Sequence, residues 1–476
     1  MSQFHCRYRI PVLSAAILLL GGCASFDIDQ STQQINQRYP AYTQGQLALA
    51  SKPEQQKDRQ DKAAILLRDP LSQDAAVQIA LLNSPALQAL LAQHQANGAN
   101  VVQSARIANP VFNFERNRQA GELEIGRLLS VGLLDLLSLP QRQSMARHSL
   151  WQAQTRLSLD VIDRVSEVRV AWVKAVAAQQ SLDYARQVVD AADASAELAG
   201  RMHKAGNFNT LQAARQQAFQ ADAVAQFSFA SHNSLATREE LVRLLGLNDA
   251  QGKALKLPQR LPDLPATPLA AEAIGPQATK NRLDIQLARQ ELDAAAARQG
   301  LNLVNSFTDI ELGVRRNTVF DAAGHSEIKR GVEVSLSLPL FDWGDAQRTA
   351  MNANTLAASY RLQDTVNNAG SHLRVSYSAY RSLYDIARQY RDDILPLRKR
   401  ISAENQLRYN GMFISVFELL ADTREQINSV LAAINAEQQF WLADAALQAE
   451  LLGRPSTPST GTLNPISSSA PPDAAH

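Results

Sequence analysis

The residues able to bind metals or move protons are dispersed along this chain. His94, His148, His203, His232, His325 and His372 stand singly, and none has a second ligand at a metal-binding spacing. His5 and His476 lie in the terminal segments. Met202-His203 suits either a solvated helix end or contact with a soft metal in passing. Serines adjoin acids in "SLD" and "SVFE", but no nucleophile elbow, phosphate loop or dinucleotide-binding glycine pattern accompanies them. Glu418 and Asp422 stand one helical turn apart near a helix start, where the dipole favours acids by ~0.3–1 kcal/mol each. Asp135 and Asp342 flank strand-like stretches and read as junction residues. The chain is therefore expected to be no enzyme and to hold neither metal nor cofactor.

Charge and ends narrow the class. The formal net charge is +1, and removing Arg7 and Arg9 with a signal segment leaves −1. Without a basic excess, nucleic acid is excluded as a partner. Arg7 and Arg9 precede an apolar run from Ile10 to Leu20, then Gly21-Gly22-Cys23. That order describes a secretory signal. A short membrane anchor is the competing reading, but ~20 apolar residues are needed to span a bilayer. A Cys after Leu-Gly-Gly resembles the bacterial lipoprotein box, in which Cys23 becomes the acylated first residue. Ala24, where an inner-membrane retention signal resembles Asp, favours sorting to the outer membrane. Cys6 leaves with the signal, so no disulfide is expected within the mature chain.

The elements that carry these residues follow one plan in two halves. "NSPALQAL" (Asn83 to Leu90) and "NRLDIQLA" (Asn281 to Ala288) each open a helical stretch, 198 positions apart. Two alternating stretches follow in each half. They start at Val111 and run from Leu123 to Leu133 in the first, and from Phe307 to Arg316 and Ile328 to Leu338 in the second. Each pair ends at "SLP". Long helices without early proline come next, Arg142 to Gly206 and Arg348 to Gly411. Leu157, Val161, Val165, Val168, Trp172, Ala175 and Leu182 mark one buried stripe on the first. Such lengths suit coiled coils and helical barrels. Pro396 is expected to bend the second. Gly206 and Gly411 suit the positive φ that ends a helix, and Thr210 and Ser415 suit capping the next. Shorter return helices run to Gly246 and Gly453.

This order divides the chain into a signal peptide (1–22), a lipid-anchored segment (23–71), a first helix-strand-strand-helix repeat (72–248), a proline-rich connector (249–278), a second repeat (279–453) and a disordered tail (454–476). The segment from Asp27 to Arg68 reads as polar and irregular, wrapping the surface.

In "GVEVSLSLPLF" Val332, Val334, Leu336 and Leu338 alternate with Glu333, Ser335 and Ser337. Strands of this length fit a tilted crossing of an outer membrane, or a soluble hairpin packed on a helix. Lipid offers no hydrogen bonds, so a membrane sheet must close, and closure takes at least about eight strands. One chain supplies four. Crossing strands must be pooled between copies, and three copies would give twelve.

This ordered set resembles the TolC-type outer-membrane efflux protein family over about Ser72 to Gly453, "NGMFISVFELLADTREQ" being the most similar string. The resemblance implies a mainly α chain with membrane β, in a homotrimer. Its 12-stranded β-barrel would continue as a long periplasmic α-helical barrel. It further implies a passive exit duct of a tripartite pump, docking a periplasmic adaptor and an inner-membrane RND-type transporter, in outer-membrane lipid. Arg201, Gly206, Asn207, Arg408, Gly411 and Ser415 would then lie at adaptor-contacting tips. Glu418 and, more loosely, Asp422 would line a pore gate, with Arg408 or Arg424 holding them when it is closed. In the first half Ala213 stands where Glu418 does. Val332, Val334, Leu336 and Leu338 would face lipid. Polypeptide secretion remains a second reading of the duct, and a lipid-anchored coiled-coil scaffold a reading of another class.

Overall fold

The computed structural model describes residues 26–119, 121–271, 282–305, 310–321, 325–337, 341 and 343–454. Residues 1–25 with Cys23, and Leu338, Pro339, Asp342 and 455–476, lie outside the described residues.

The segment from Asp27 to Arg68 is largely helical, not irregular. It forms α1 (Ile28–Arg38), α2 (Pro40–Thr43) and α3 (Pro53–Leu66). Asp27 caps α1, and prolines stand in the first turns of α2 and α3. Ile28, Ile35, Tyr42, Leu47 and Ala63 are buried in the main core. Most of the sparse apolar residues of this polar segment point to that core, which composition alone conceals, while Ile65 is exposed. Arg59 is buried, and its guanidinium donates to the carbonyls of Leu82 (3.1 Å), Ala48 and Leu81 (both 2.5 Å). It thereby satisfies carbonyls at the end of α4 (Gln73–Asn83).

After α4 comes α5 (Pro85–Ser104), then strands β1 (Val111–Gln119) and β2 (Glu122–Gly132), and a short helix α6 (Leu133–Leu137). The first rod, α7 (Leu139–Lys204), has 66 residues, or about 100 Å at ~1.5 Å each. Leu157, Val161, Val165, Val168, Trp172 and Ala175 are buried as the spacing predicts, while Leu182 is half-buried. The return helix α8 (Thr210–Leu245) leads through α9 (Asp249–Ala254) into the connector.

The connector is extended and clamped by aromatic residues of the second half. Trp441 Nε1 donates to the Pro262 carbonyl (3.1 Å), Tyr384 Oη to Pro265 (2.9 Å) and Tyr377 Oη to Leu269 (3.2 Å). Leu261 and Leu264 are buried beneath it.

The second half continues with α10 (Leu283–Asn305), β3 (Ile310–Phe320) and β4 (Ser326–Leu336). Its rod is α11 (Asp345–Gln389), a π-helical turn (Tyr390–Ile394) and α12 (Leu395–Asn410), followed by the return helix α13 (Val416–Leu451). Pro396 is accommodated by that wider turn, which immediately precedes it. Proline has no N–H for the Asp392 carbonyl, and one extra residue per turn absorbs the misfit. Among the described residues no single helix is long and apolar enough to cross a membrane.

The four strands form one antiparallel sheet in the order β1-β2-β3-β4, so hairpins from the two halves lie side by side. β1 starts at Val111 as expected, and β2 starts and ends one residue earlier than its alternating stretch. β3 ends four residues later and β4 starts two earlier, because pairing and not pattern sets the ends of a strand. Phe307 to Asp309 lie outside the described residues. In register, Phe112, Leu129, Val314 and Val332 form one row across the sheet, and Val131, Leu312 and Val334 the next. Ile310 and Leu336 pair beyond them. Val332 and Val334 are 73% and 63% exposed, so nothing among the described residues covers them.

Where the halves meet, each return helix ends on a glycine with positive φ, Gly246 at +69° and Gly453 at +96°. A Cβ on either would clash with the start of the helix that opens that half, 2.6 Å from Pro85 and from Asp284. Asn83 Nδ2 donates to the Gly246 carbonyl at 2.7 Å. In the second half Arg282, at the start of α10, is fully buried, with Asp284 at 2.8 Å and Glu450 at 2.9 Å.

Arg169 joins the N-terminal segment to both halves. Its guanidinium lies 4.4 Å from the Tyr42 ring centre and donates to the Ala41 carbonyl (2.7 Å) and to Gln448 (3.0 Å). Nearby, burial raises the Asp444 carboxyl from 3.8 to about 6, the Arg169 charge opposing it. The folded chain thus holds this proton more tightly than the unfolded chain. The resulting stabilisation is full below about pH 4 and is lost as pH rises through about 6. Asp444→Asn is therefore expected to flatten the fall in thermal midpoint between pH 5 and 7. An unchanged slope would exclude Asp444 as its source.

Candidate functional site at the helical turns

The first rod ends in the expected way. Gly206 takes φ +77, and the Asn207 N–H reaches the Met202 carbonyl at 2.9 Å. The second rod does not. Gly411 has φ −81, and Met412 carries the positive φ of 62°. The closing bond runs from the Phe413 N–H to the Arg408 carbonyl at 2.8 Å. Gly411 thus stands one position earlier in its turn than Gly206 does. A Cβ at Gly411 would lie 2.8 Å from the Phe413 ring as it is placed. Met412 and Phe413 are 94% and 81% exposed.

The caps shift as well. Ser415 caps α13, its Oγ accepting from the Glu418 N–H at 3.3 Å. Thr210 is not the cap of α8; Asn209 is. Its side chain accepts from the Gln212 N–H at 2.8 Å, and Gln212 Oε1 accepts from the Asn209 N–H at 2.8 Å. This reciprocal box outweighs the weaker capping preference of threonine. Counted from the caps, Gln212, not Ala213, corresponds to Glu418, and Gln216 corresponds to Asp422. Each acid of the second half is matched by an uncharged amide in the first.

The two turns come together through Phe208 and Phe417, with ring centres 4.5 Å apart. Behind them Gln216 is buried and accepts from Ser195 (3.2 Å) and Arg424 (2.9 Å). Arg424 also lies 4.5 Å from the Phe219 ring centre. Burial first, and the Arg215 charge second, push its proton affinity below the ordinary value. Arg424 is thus committed to helix α8 and holds neither Glu418 nor Asp422 within this chain. Asp422 is half-buried, and its Oδ2 has no hydrogen-bond partner among the described residues. Arg201, Gly206, Asn207, Arg408, Gly411, Ser415 and Glu418 are all exposed around the turns. Arg201 pairs with Glu197 one turn earlier, at 2.5 Å.

Two of the histidines have close hydrogen-bonding neighbours within the fold. His94 Nε2 lies 2.9 Å from Asp160, and His203 Nδ1 lies 2.9 Å from the Phe208 carbonyl. Among the described residues no group of three metal-ligating side chains occurs. The Phe208–Phe417 contact and the Gln216–Arg424 link escape sequence reading. The strings "NFNTLQ" and "FISVFE", aligned on their capping residues and not on their glycines, would have paired Gln212 with Glu418.

No family model matches the sequence, and no curated protein matches it. Solved structures do. A membrane protein from Pseudomonas aeruginosa is 21% identical, with a TM-score of 0.66 over 80% of this chain and 90% of that one. CusC is 18% identical, with a TM-score of 0.66 over 80% and 92%. The outer membrane protein VceC from Vibrio cholerae is 15% identical, with a TM-score of 0.65 over 80% and 96%. The likeness covers four-fifths of this chain and nine-tenths or more of each of the others, and on that ground the chain has the fold of the TolC-type outer-membrane efflux channels.

Proposed function

We propose that this chain is one protomer of a passive outer-membrane exit duct in a tripartite efflux pump. The observation that carries the reading is the uncovered apolar face on a sheet with two open edges. β1 and β4 each lack a partner on one side among the described residues. Neither water nor lipid tolerates such a sheet as it stands. Water leaves the apolar rows exposed, and lipid leaves the edges without hydrogen bonds. Three copies joined edge to edge give a closed twelve-stranded barrel with Val332, Val334, Leu336 and Leu338 toward lipid. Glu333 and Ser335 then line a water-filled lumen, and the rods continue as a helical barrel. The two halves of the chain act as repeats. Cys23 is the lipid attachment site.

In this reading the exposed turns, with Arg201, Gly206, Asn207, Arg408, Gly411 and Ser415, dock a periplasmic adaptor, which links the duct to an inner-membrane RND-type transporter. The cargo is small molecules or metal cations, chosen by the transporter, and the duct performs no catalysis. Detergent-extracted protein should have the mass of a trimer and form conducting channels in planar bilayers. A monomer without conductance would point to the scaffold reading.

Glu418 and Asp422 line the narrow end, three copies of each around the axis. The uncharged Gln212 and Gln216 leave that charge unbalanced by the first half. The double variant Glu418→Ala/Asp422→Ala is expected to reduce cation preference, read as a reversal-potential shift under a salt gradient. Unchanged selectivity and conductance would remove the gate assignment.

A further inference from the structure

The register that builds the apolar face also sorts the charges of the sheet. Arg116, Arg118, Arg127, Arg316 and Arg330 lie on the same face as Val332 and Val334. No acid shares that face within the paired strands. Glu115, Glu122, Glu124, Glu311, Glu327 and Glu333 all lie on the other. The contrast shows at adjacent positions of β3. Arg315, on the acidic face, pairs with Glu333 at 3.2 Å. Arg316 and the other four arginines of its face have no ion pair among the described residues, Arg127 only reaching Thr318 Oγ1 at 3.4 Å.

Three of these arginines form a row. Arg127 pairs with Arg316, and Arg316 with Arg330, across three adjacent strands. Strands lie ~4.8 Å apart, so like charges are stacked side by side, an arrangement that disfavours the sheet unless anions intervene. The row stands four residues from Leu312 and Val334 toward the hairpin tips, about 13 Å along the strand at ~3.3 Å per residue. Phe114 completes that row, and Arg116 and Arg118 lie further toward the tips among Ile125, Ile328, Leu123 and Phe320 of the same face, while the two apolar rows without a charge lie on the helix side of the arginine row. At the opposite limit Phe341 and Trp343 are 98% and 59% exposed, as at the other edge of an apolar band.

We infer that the Arg127–Arg316–Arg330 row, extended by Arg116 and Arg118, binds the anionic phosphate headgroups of the lipid leaflet on the hairpin-tip side. Guanidinium forks match phosphate oxygens in pairs, and arginine stems lie along apolar surface while their heads reach the interface. The charge complement is one-sided, with arginines outward and carboxylates inward, which selects an anion in the surrounding lipid over one in the lumen. The inference rests on the barrel reading above.

The test uses the full-length protein in phosphatidylcholine vesicles with spin-labelled phosphatidylglycerol or spin-labelled phosphatidylcholine as probe. The motionally restricted spectral fraction gives the relative association of each. The wild-type protein is expected to prefer phosphatidylglycerol by about fivefold or more, the ratio one basic residue supplies at an anionic lipid surface. The triple variant Arg127→Gln/Arg316→Gln/Arg330→Gln should bring the ratio near one, and the triple lysine variant should retain most of it. A wild-type ratio near one, or a preference kept by the glutamine variant, overturns the inference while leaving the barrel intact. If neither probe shows a restricted fraction, the strands are not in lipid, and the barrel reading fails together with this one. Should the glutamine variant not assemble, the wild-type ratio at low and at ~1 M salt decides. The preference must fall as charges are screened, and a salt-independent ratio counts against it.

Discussion

Protein carrying Val334→Arg is expected to reach the outer membrane as assembled trimer in much lower yield than the wild type. Val334 pairs with Leu312 at the centre of the apolar rows, between the arginine row and the strand ends, and is 63% exposed in the single chain. A lipid-facing arginine at the bilayer midplane costs about 2–4 kcal/mol, falling to about 0–1 near the interfaces. Three symmetry-related copies multiply the cost. Ser335→Arg is the matched control. Ser335 is the next residue along the strand, points to the other face and pairs with Glu311, an acid that would welcome the charge. It should assemble normally. Equal trimer yield from Val334→Arg would return the strand to water and remove the central support for a barrel.

A second large effect is expected far from the sheet. Glu450→Ala should destabilise the junction of the second half by about 3–5 kcal/mol, the range for breaking a buried ion pair by deleting one partner. Arg282 and Glu450 side chains are 1% and 0% exposed at 2.9 Å. Asp284, the remaining acid, is more open to solvent at 18%. Without Glu450 the guanidinium keeps one carboxylate, and its Nη1 already has no partner among the described residues. The loss should appear as a lower thermal midpoint and as earlier proteolysis where Gly453 abuts α10. Arg282→Met/Glu450→Leu should recover most of the stability, because apolar residues of similar volume remove the desolvation cost of both charges. If the single variant is as stable as the wild type, the ion pair contributes no net stability.

Much of the architecture is legible in the sequence because its signals are local. Alternation over 328–336 needs only the strand's own period of two, and the rod stripe from Leu157 to Ala175 only the helical period. The N-terminal segment was not legible in this way. Its apolar residues are few, and their shared direction acquires meaning only when Arg59 and Tyr42 meet carbonyls and a cation from elsewhere in the chain. At the turns, the presence of a glycine and a capping residue is a local property. Which residue caps is decided by a neighbour, since Gln212 gives Asn209 a partner that Thr210 lacks, and in the second turn Met412, not Gly411, takes the positive φ.

The sequence by itself determined the order of elements, the alternating faces of the strands, the length of the rods and the terminal lipoprotein-like string, all from contacts within a few residues. Only the tertiary structure decided which residues stand beside which across distance. It brought Phe208 against Phe417, buried Arg282 against Glu450, and gathered Arg127, Arg316 and Arg330 into one row. The physical reason is register: a strand's period says which side a residue takes, but a slip of two positions keeps every side and changes every neighbour.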